Sequence, residues 1–273
     1  MRALILAAGY GTRLQRDITE DRSGRFSSLL GLPKPLLPVG GVPLVSKWTK
    51  SLRSCAAIES IHLVTNARFA NVFETWRREN DERSVEIVDD GTTSNETRLG
   101  AVADIKLALD RIGSPGEDII VIGGDTLFYE DFNIGDLLKY YQRKKAEDEN
   151  IGGVVLSYEC TAEQTRKYGI LDVDADGKVR TFLEKPGPEG TSSRRACPCF
   201  YLLSKVGIRL VGEFLLAKKA DGASLVEMDA PGNFIRYLCN RASVWCMEIS
   251  GRFDIGSLQS YVECNDYFSK HDT

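Results

Sequence analysis

The residues best suited to handle phosphate are a glycine turn behind a short apolar strand and two cations that follow it. Ala3-Leu4-Ile5-Leu6 runs into Ala7-Ala8-Gly9-Tyr10-Gly11-Thr12-Arg13-Leu14, and Pro33-Lys34-Pro35-Leu36-Leu37-Pro38-Val39 comes after a charged stretch. Backbone N–H groups at such a turn can wrap phosphate oxygens. Arg13 and Lys34 bring positive charge to the same place, so the combination predicts a triphosphate site. Gly9 and Gly11 also begin a dinucleotide fingerprint. However, its third glycine position holds Leu14, no acidic residue ends a second strand about 20 residues on, and no Walker-type loop is present.

Three further constellations stand out. Gly123-Gly124-Asp125 directly follows the apolar run Ile119-Ile120-Val121-Ile122, which puts an aspartate at a strand's carboxyl end. Phe253-Asp254-Ile255-Gly256-Ser257 precedes an amphipathic segment with Leu258, Tyr261, Val262 and Phe268. Each aspartate reads equally as a turn or helix cap. Two aspartates on separate strand ends can share one Mg²⁺ with substrate phosphates, but the sequence does not say whether these two meet. In Phe182-Leu183-Glu184-Lys185-Pro186, strand alternation sets Glu184 and Lys185 on opposite faces. Pro186 ends the strand and frees Lys185 to turn toward a cleft; otherwise the two are a solvated pair.

These residues need elements to hold them. Short apolar runs at Ile61-His62-Leu63-Val64, Val85-Glu86-Ile87-Val88 and 119–122 read as buried parallel strands. Between and after them, Phe69, Val72, Phe73 and Trp76 keep helical spacing, as do Ile134, Leu137, Leu138 and Tyr141, with Asn133 as N-cap. Residues 153–157, 170–173, 179–184, 200–203 and 244–249 predict strands, with a hairpin turn at Asp174-Ala175-Asp176-Gly177. Polar loops are expected at 79–84, 144–150 and 186–195. The pattern is α/β, with ligands at strand carboxyl ends.

The chain of 273 residues is expected to form one domain, 1–273, whose halves, about 1–130 and about 131–273, are expected to bind nucleotide and sugar by the family resemblance drawn below. A net charge of −4 does not favour nucleic acid, so an anion site must be built locally. The first residues predict neither a signal peptide nor a membrane span. Seven cysteines, odd in number and irregular in spacing, suit a reducing, cytoplasmic setting. Cys197-Pro198-Cys199 lacks a second close cysteine pair, and the chain has two histidines, so buried thiols are expected rather than zinc.

Taken together, the motifs resemble the sugar-1-phosphate nucleotidyltransferases. The matches are residues 6–14, 33–39, Gly-Gly-Asp at 123–125, Tyr-Gly at 168–169, Glu-Lys-Pro at 184–186 and Phe-Asp-Ile-Gly-Ser at 253–257, in the family's order. The resemblance implies a Rossmann-like three-layer α/β fold with a mostly parallel mixed sheet. It also implies transfer of a nucleotidyl group from an NTP to a sugar 1-phosphate with Mg²⁺, giving NDP-sugar and pyrophosphate. By the same resemblance Arg13, Lys34, Asp125 and Lys185 are catalytic, and Asp125 and Asp254 hold the metal. Ala8, Gly9, Gly11, Thr12 and Gly124 bind the nucleotide, with Glu96, Leu99 and Gly100 at the base. Tyr168, Gly169, Glu184 and Lys185 take the sugar phosphate.

The physics of the reaction agrees, because two polyanions must approach. At a few ångströms each unit of like charge costs about 1–4 kcal/mol, which cations offset, and no covalent nucleophile is required. No role falls to a cysteine or to His62. Two features depart from the family. Residues 15–32 form a longer charged stretch than expected, read as a lid or a contact surface. The base segment also lacks the Gln-Pro pattern of the thymidylyl branch, although glucose 1-phosphate with UTP or dTTP remains the default pair. No β-helix appendage is expected after Lys270, and a homo-oligomer is left open. The alternatives are a cytidylyltransferase acting on a non-sugar phosphate, a non-catalytic nucleotide-sugar sensor and, last, a dinucleotide oxidoreductase.

Overall fold

A computed structural model describes residues 1–113, 116–129 and 131–271. β1 (Arg2–Leu6) leads into α1 (Thr12–Glu20), the small hairpin β2 (Pro38–Val39) and β3 (Val42–Pro43), and α2 (Leu44–Arg53). Next come β4 (Ser60–Thr65), α3 (Ala70–Glu79), β5 (Val85–Asp89), α4 (Ala101–Ile112), β6 (Ile119–Gly123) and β7 (Thr126–Phe128). After α5 (Ile134–Glu147) the chain turns strand-rich, with β8 (Ile151–Glu159), β9 (Gly169–Val173), β10 (Val179–Glu184), β11 (Arg195–Cys197) and β12 (Phe200–Leu203). It closes with α6 (Lys205–Ala220), α7 (Leu225–Asp229), α8 (Pro231–Cys239), β13 (Ser243–Glu248), β14 (Arg252–Asp254) and α9 (Leu258–His271).

The main sheet has the order β10-β9-β11-β8-β12-β6-β1-β4-β5, with β13 paired to β8. β6, β1, β4 and β5 are parallel, as their apolar runs predicted. β12 enters antiparallel to both β6 and β8, and β13 returns parallel to β8. This is the expected Rossmann-like α/β sheet, parallel in its first half and mixed beyond β6.

Alternation explains why it is covered on both faces. Ala3, Ile5, Ile61, Leu63, Ile120 and Ile122 pack into one core, while Leu4, Val64, Ile119 and Val121 pack into the other. Ile120, Val121 and Ile122 are completely buried, so truncating either isoleucine to Ala is expected to cost about 2–5 kcal/mol. The predicted helices sit where their spacing put them. Phe73 and Trp76 of α3 are buried, and the Asn133 carboxamide accepts from the N–H groups of Gly135 (2.7 Å) and Asp136 (3.3 Å).

Residues 15–32 are not loop throughout. Their first third is helix α1, whose Leu14 and Ile18 are buried together with Leu29 further on. Gln15 ties the ends of the segment together: its Nε2 donates to the Leu32 carbonyl (3.1 Å), and its Oε1 accepts from Gly31 N–H (2.8 Å). Asp17 accepts from the N–H of Leu258 at the start of α9 (3.2 Å). Ile18 and Leu29 anchor the stretch, while the rest of it is half-buried or exposed, including Arg22, Ser23, Gly24 and Arg25. The loop expected at 144–150 is likewise shorter, because α5 runs on to Glu147 with Lys144 and Lys145 in its last turn, where cations favour a helix C-terminus.

Candidate active site

Parallel pairing brings the carboxyl ends of β1 and β6 to one edge, and the site is built there. Gly11 takes a left-handed conformation (φ +62°) and opens α1, a backbone position that disfavours other residues. Gly124 answers to packing instead. Its N–H donates to the Leu6 carbonyl (2.8 Å), and a Cβ added to it would lie 2.5 Å from that oxygen and 2.9 Å from Pro35 Cγ. The β1 end, the β6 end and the 33–39 segment are therefore in direct contact. Lys34 runs beside Gly11, and its Nζ donates to Asp125 Oδ2 at 2.8 Å.

The second aspartate arrives from the far end of the chain. β14 pairs antiparallel with β7, setting Asp254 opposite Thr126, and Ile255 N–H donates to the Asp125 carbonyl (3.0 Å). Asp125 and Asp254 are thus neighbours. Burial pushes the Asp254 carboxyl above the usual range; Arg252 opposes this and Asp125 adds to it. Arg252, its side chain buried, donates from Nε to the Tyr158 hydroxyl (2.9 Å) and reaches Asp254 Oδ2 with Nη2 (3.4 Å).

Two cavities flank this pair. One, of about 310 Å³, is lined by Ala8, Gly9, Gly11, Lys34, Gly124 and Asp125 at one end and by Asn95, Arg98, Gly100 and Asp104 at the other. The second, of about 740 Å³, collects Arg13, Arg166, Tyr168, Lys185, Arg252 and Asp254. Lys185 turns into it through a left-handed backbone (φ +48°), its N–H bonded to the Tyr168 carbonyl (3.2 Å). Cations outnumber carboxylates around this second space, which suits a phosphate-bearing ligand.

Comparison with known proteins agrees with this arrangement. A sequence profile described as "Nucleotidyl transferase" matches residues 2–271. The chain belongs to this family. Mannose-1-phosphate guanyltransferase of Yarrowia lipolytica is 30% identical over 188 residues, 68% of this chain and 45% of that protein. Bifunctional protein GlmU of Methanococcus vannielii is 24% identical over 276 residues, 99% of this chain and 56% of the relative. The chain thus spans about half the length of these curated relatives. A solved UDP-glucose pyrophosphorylase, complexed with UDP-glucose, superposes with a TM-score of 0.73 at 20% identity, covering 99% of this chain and 98% of the other. At that identity the likeness concerns the fold.

In this member of the family, the expected residues fall into two groups. Ala8, Gly9, Gly11, Lys34, Gly100, Gly124 and Asp125 border the first cavity; Arg13, Tyr168, Lys185 and Asp254 border the second. Arg13 and Lys34, expected on the same phosphates, line different cavities. Thr12 opens α1 and is exposed, Glu96 is exposed, and Leu99 borders neither cavity. Gly169 is buried, and any Cβ there would collide with the Phe182 ring, so packing alone accounts for its glycine. Glu184 borders neither cavity and stands 3.5 Å from Lys185 Nζ.

Arg98, Asp104 and Asp229 line the first cavity and Arg252 the second, and the sequence reading gave none of them a role. Arg252 lies two residues before Asp254, and that spacing was its one available signal. Asp125 and Asp254 offer hard oxygen donors of the type Mg²⁺ prefers. Among the described residues no group of three or more His, Cys, Asp or Glu side chains gathers to hold a metal. A cation at this pair would therefore complete its shell with phosphate and water.

Proposed function

We propose that this chain transfers a nucleotidyl group from a nucleoside triphosphate to a sugar 1-phosphate, releasing pyrophosphate. The observation that carries the reading is the Lys34–Asp125–Asp254 junction between a glycine-lined cavity and a cationic one. An oxygen of the sugar phosphate attacks the α-phosphorus while the bond to the β-phosphate breaks and pyrophosphate departs. Lys185 and Arg13 draw the sugar phosphate into the second cavity. Lys34 and the backbone around Gly11 take the triphosphate in the first. The task is to hold two anions in line and offset their repulsion, which needs position and charge rather than a nucleophile. Bound at Asp125 and Asp254, Mg²⁺ would supply charge neutralisation of the reacting phosphates.

No described helix is long and apolar enough to cross a membrane. All seven cysteines carry free thiols, which supports placing the enzyme in the reducing cytoplasm. The test is pyrophosphate release with Mg²⁺ across a grid of nucleoside triphosphates and sugar 1-phosphates. One strong pairing is expected. Silence across the grid, from folded protein that still binds a nucleotide, would replace this reading with that of a sensor.

A further inference from the structure

The far end of the first cavity holds an acid that satisfies nothing in the protein. α4 begins where Asp229, at the end of α7, accepts from Ala101 N–H through Oδ1 (2.8 Å) and from Arg98 Nε through Oδ2 (3.0 Å). Gly100, with φ +96°, allows this docking, since a Cβ there would lie 2.9 Å from Asp229 Cα. One turn into α4, Asp104 lines the cavity while remaining 94% buried, and its Oδ1 has no hydrogen-bond partner. The nearby Arg98 cation is already engaged by Asp229. Asp90, just past β5, adds a third carboxyl whose Oδ2 is also without a partner. Burial first, then the carboxylates of Asp90 and Asp229, push Asp104 up to about 8. A buried carboxyl left unbonded is costly to keep.

At this end of the cavity Arg98 is held by Asp229 and by the Asn95 carbonyl, and no N–H donor reaches Asp104 Oδ1. If triphosphate oxygens lie at Gly11 and Lys34, the base lies beside Asn95 and Asp104. Uracil and thymine would turn two carbonyl oxygens toward this acidic wall, with one N–H between them. Adenine and cytosine each pair an amino group with a ring acceptor. Guanine alone places two N–H donors, N1–H and N2–H, side by side, matching the two oxygens of one carboxylate.

We propose that Asp104 reads the Watson–Crick edge of guanine, making GTP the nucleotide this site selects in place of the pyrimidine nucleotides expected from the sequence. The inference rests on the nucleotidyl transfer reading for the placement of the phosphates. As guanine docks, the carboxyl gives its proton to solvent and accepts both base hydrogens.

Calorimetric binding of GTP, ITP, XTP and UTP to the full chain, wild type and Asp104→Asn, tests it. ITP lacks the N2 amino group, so wild type is expected to prefer GTP over ITP by about 10-fold or more, the usual scale for a hydrogen bond to a charged group. Asp104→Asn is expected to lose that preference and to gain XTP, because its amide N–H faces the xanthine O2 acceptor. Asp104→Ala is expected to lose the preference with no gain in XTP. Tighter binding of UTP than GTP by wild type would overturn the inference while leaving nucleotidyl transfer standing, as would a GTP/ITP ratio that neither variant changes. Wild-type protein that binds none of the four would overturn the inference, and the pyrophosphate-release grid would then decide the reading beneath it.

Discussion

The ammonium of Lys34 rests 2.8 Å from a carboxylate oxygen of Asp125, a contact across 91 positions of sequence. Both side chains are largely covered, so the pair is stronger than a surface ion pair, yet each member faces the cavity. A phosphate arriving there competes with Asp125 for the lysine, and a divalent cation competes with Lys34 for the carboxylate. The pair is thus poised to separate when both substrates are present. Lys34→Ala is expected to keep the fold and to lower the rate of pyrophosphate release about 100- to 1,000-fold, the usual scale for deleting one preorganised charge. Comparable rates in folded Lys34→Ala would remove this lysine from the reaction.

Lys185 gives a different split. Its left-handed backbone is a strained setting for a lysine, of order 1–3 kcal/mol, tolerated because the turn before Pro186 aims the side chain into the cationic cavity. Lys185→Gly relieves that strain while deleting the cation. The variant is expected to melt at or above the wild-type temperature and yet lose most turnover, with KM for the sugar phosphate raised at least tenfold. A variant less stable than wild type, or one with unchanged KM, would contradict this account.

These sites were legible in the sequence to unequal degrees, for physical reasons. The parallel half-sheet was readable because both of its faces are covered, which forces continuous apolar runs at Leu4-Ile5, Leu63-Val64 and Ile119–Ile122. Glycine positions were readable only as positions. Gly124 is demanded by the Leu6 carbonyl behind it and Gly169 by the Phe182 ring, so one of two similar motifs borders the cavity and the other fills core. The meeting of Asp125 with Asp254 was not readable, since it depends on the three-residue strands β7 and β14, too short to leave a periodicity. Asp104 was hidden in α4, where an acid among apolar residues gives no hint that it faces a cavity rather than solvent.

Asp104 should also leave a mark on stability. Its carboxyl sits at about 8 in the folded protein against an ordinary value near 4 in the unfolded chain. Between those values the unfolded chain has released the proton and the native state still holds it. Stability therefore falls as pH rises through this window, by up to about 1.4 kcal/mol per pH unit, and levels off above it. Asp104→Asn removes the contribution. Melting curves from pH 5 to 8 are expected to show a shallower decline for the variant, with its gain over wild type largest at pH 8. Parallel curves for the two proteins would show that Asp104 ionises normally.

Arg252 supplies the last prediction. Burial works against its cation, but Asp254 and the Tyr158 hydroxyl hold it charged, and it in turn restrains the upward push on Asp254. Removing it with Arg252→Met leaves Asp254 beside Asp125, with Lys34 still favouring its carboxylate. The Asp254 carboxyl then keeps its proton to higher pH. A hard cation binds the carboxylate and not the acid, so the Mg²⁺ concentration needed for half-maximal rate is expected to rise in Arg252→Met. The effect should be several-fold larger at pH 6 than at pH 8.5, and the acid limb of kcat/KM should move upward. Lysine at the same position restores the charge without the fork to Tyr158, and is expected to recover the pH profile in part. A defect in Arg252→Met that is equal at both pH values would instead assign Arg252 to direct contact with substrate. It would free Asp254 from its influence.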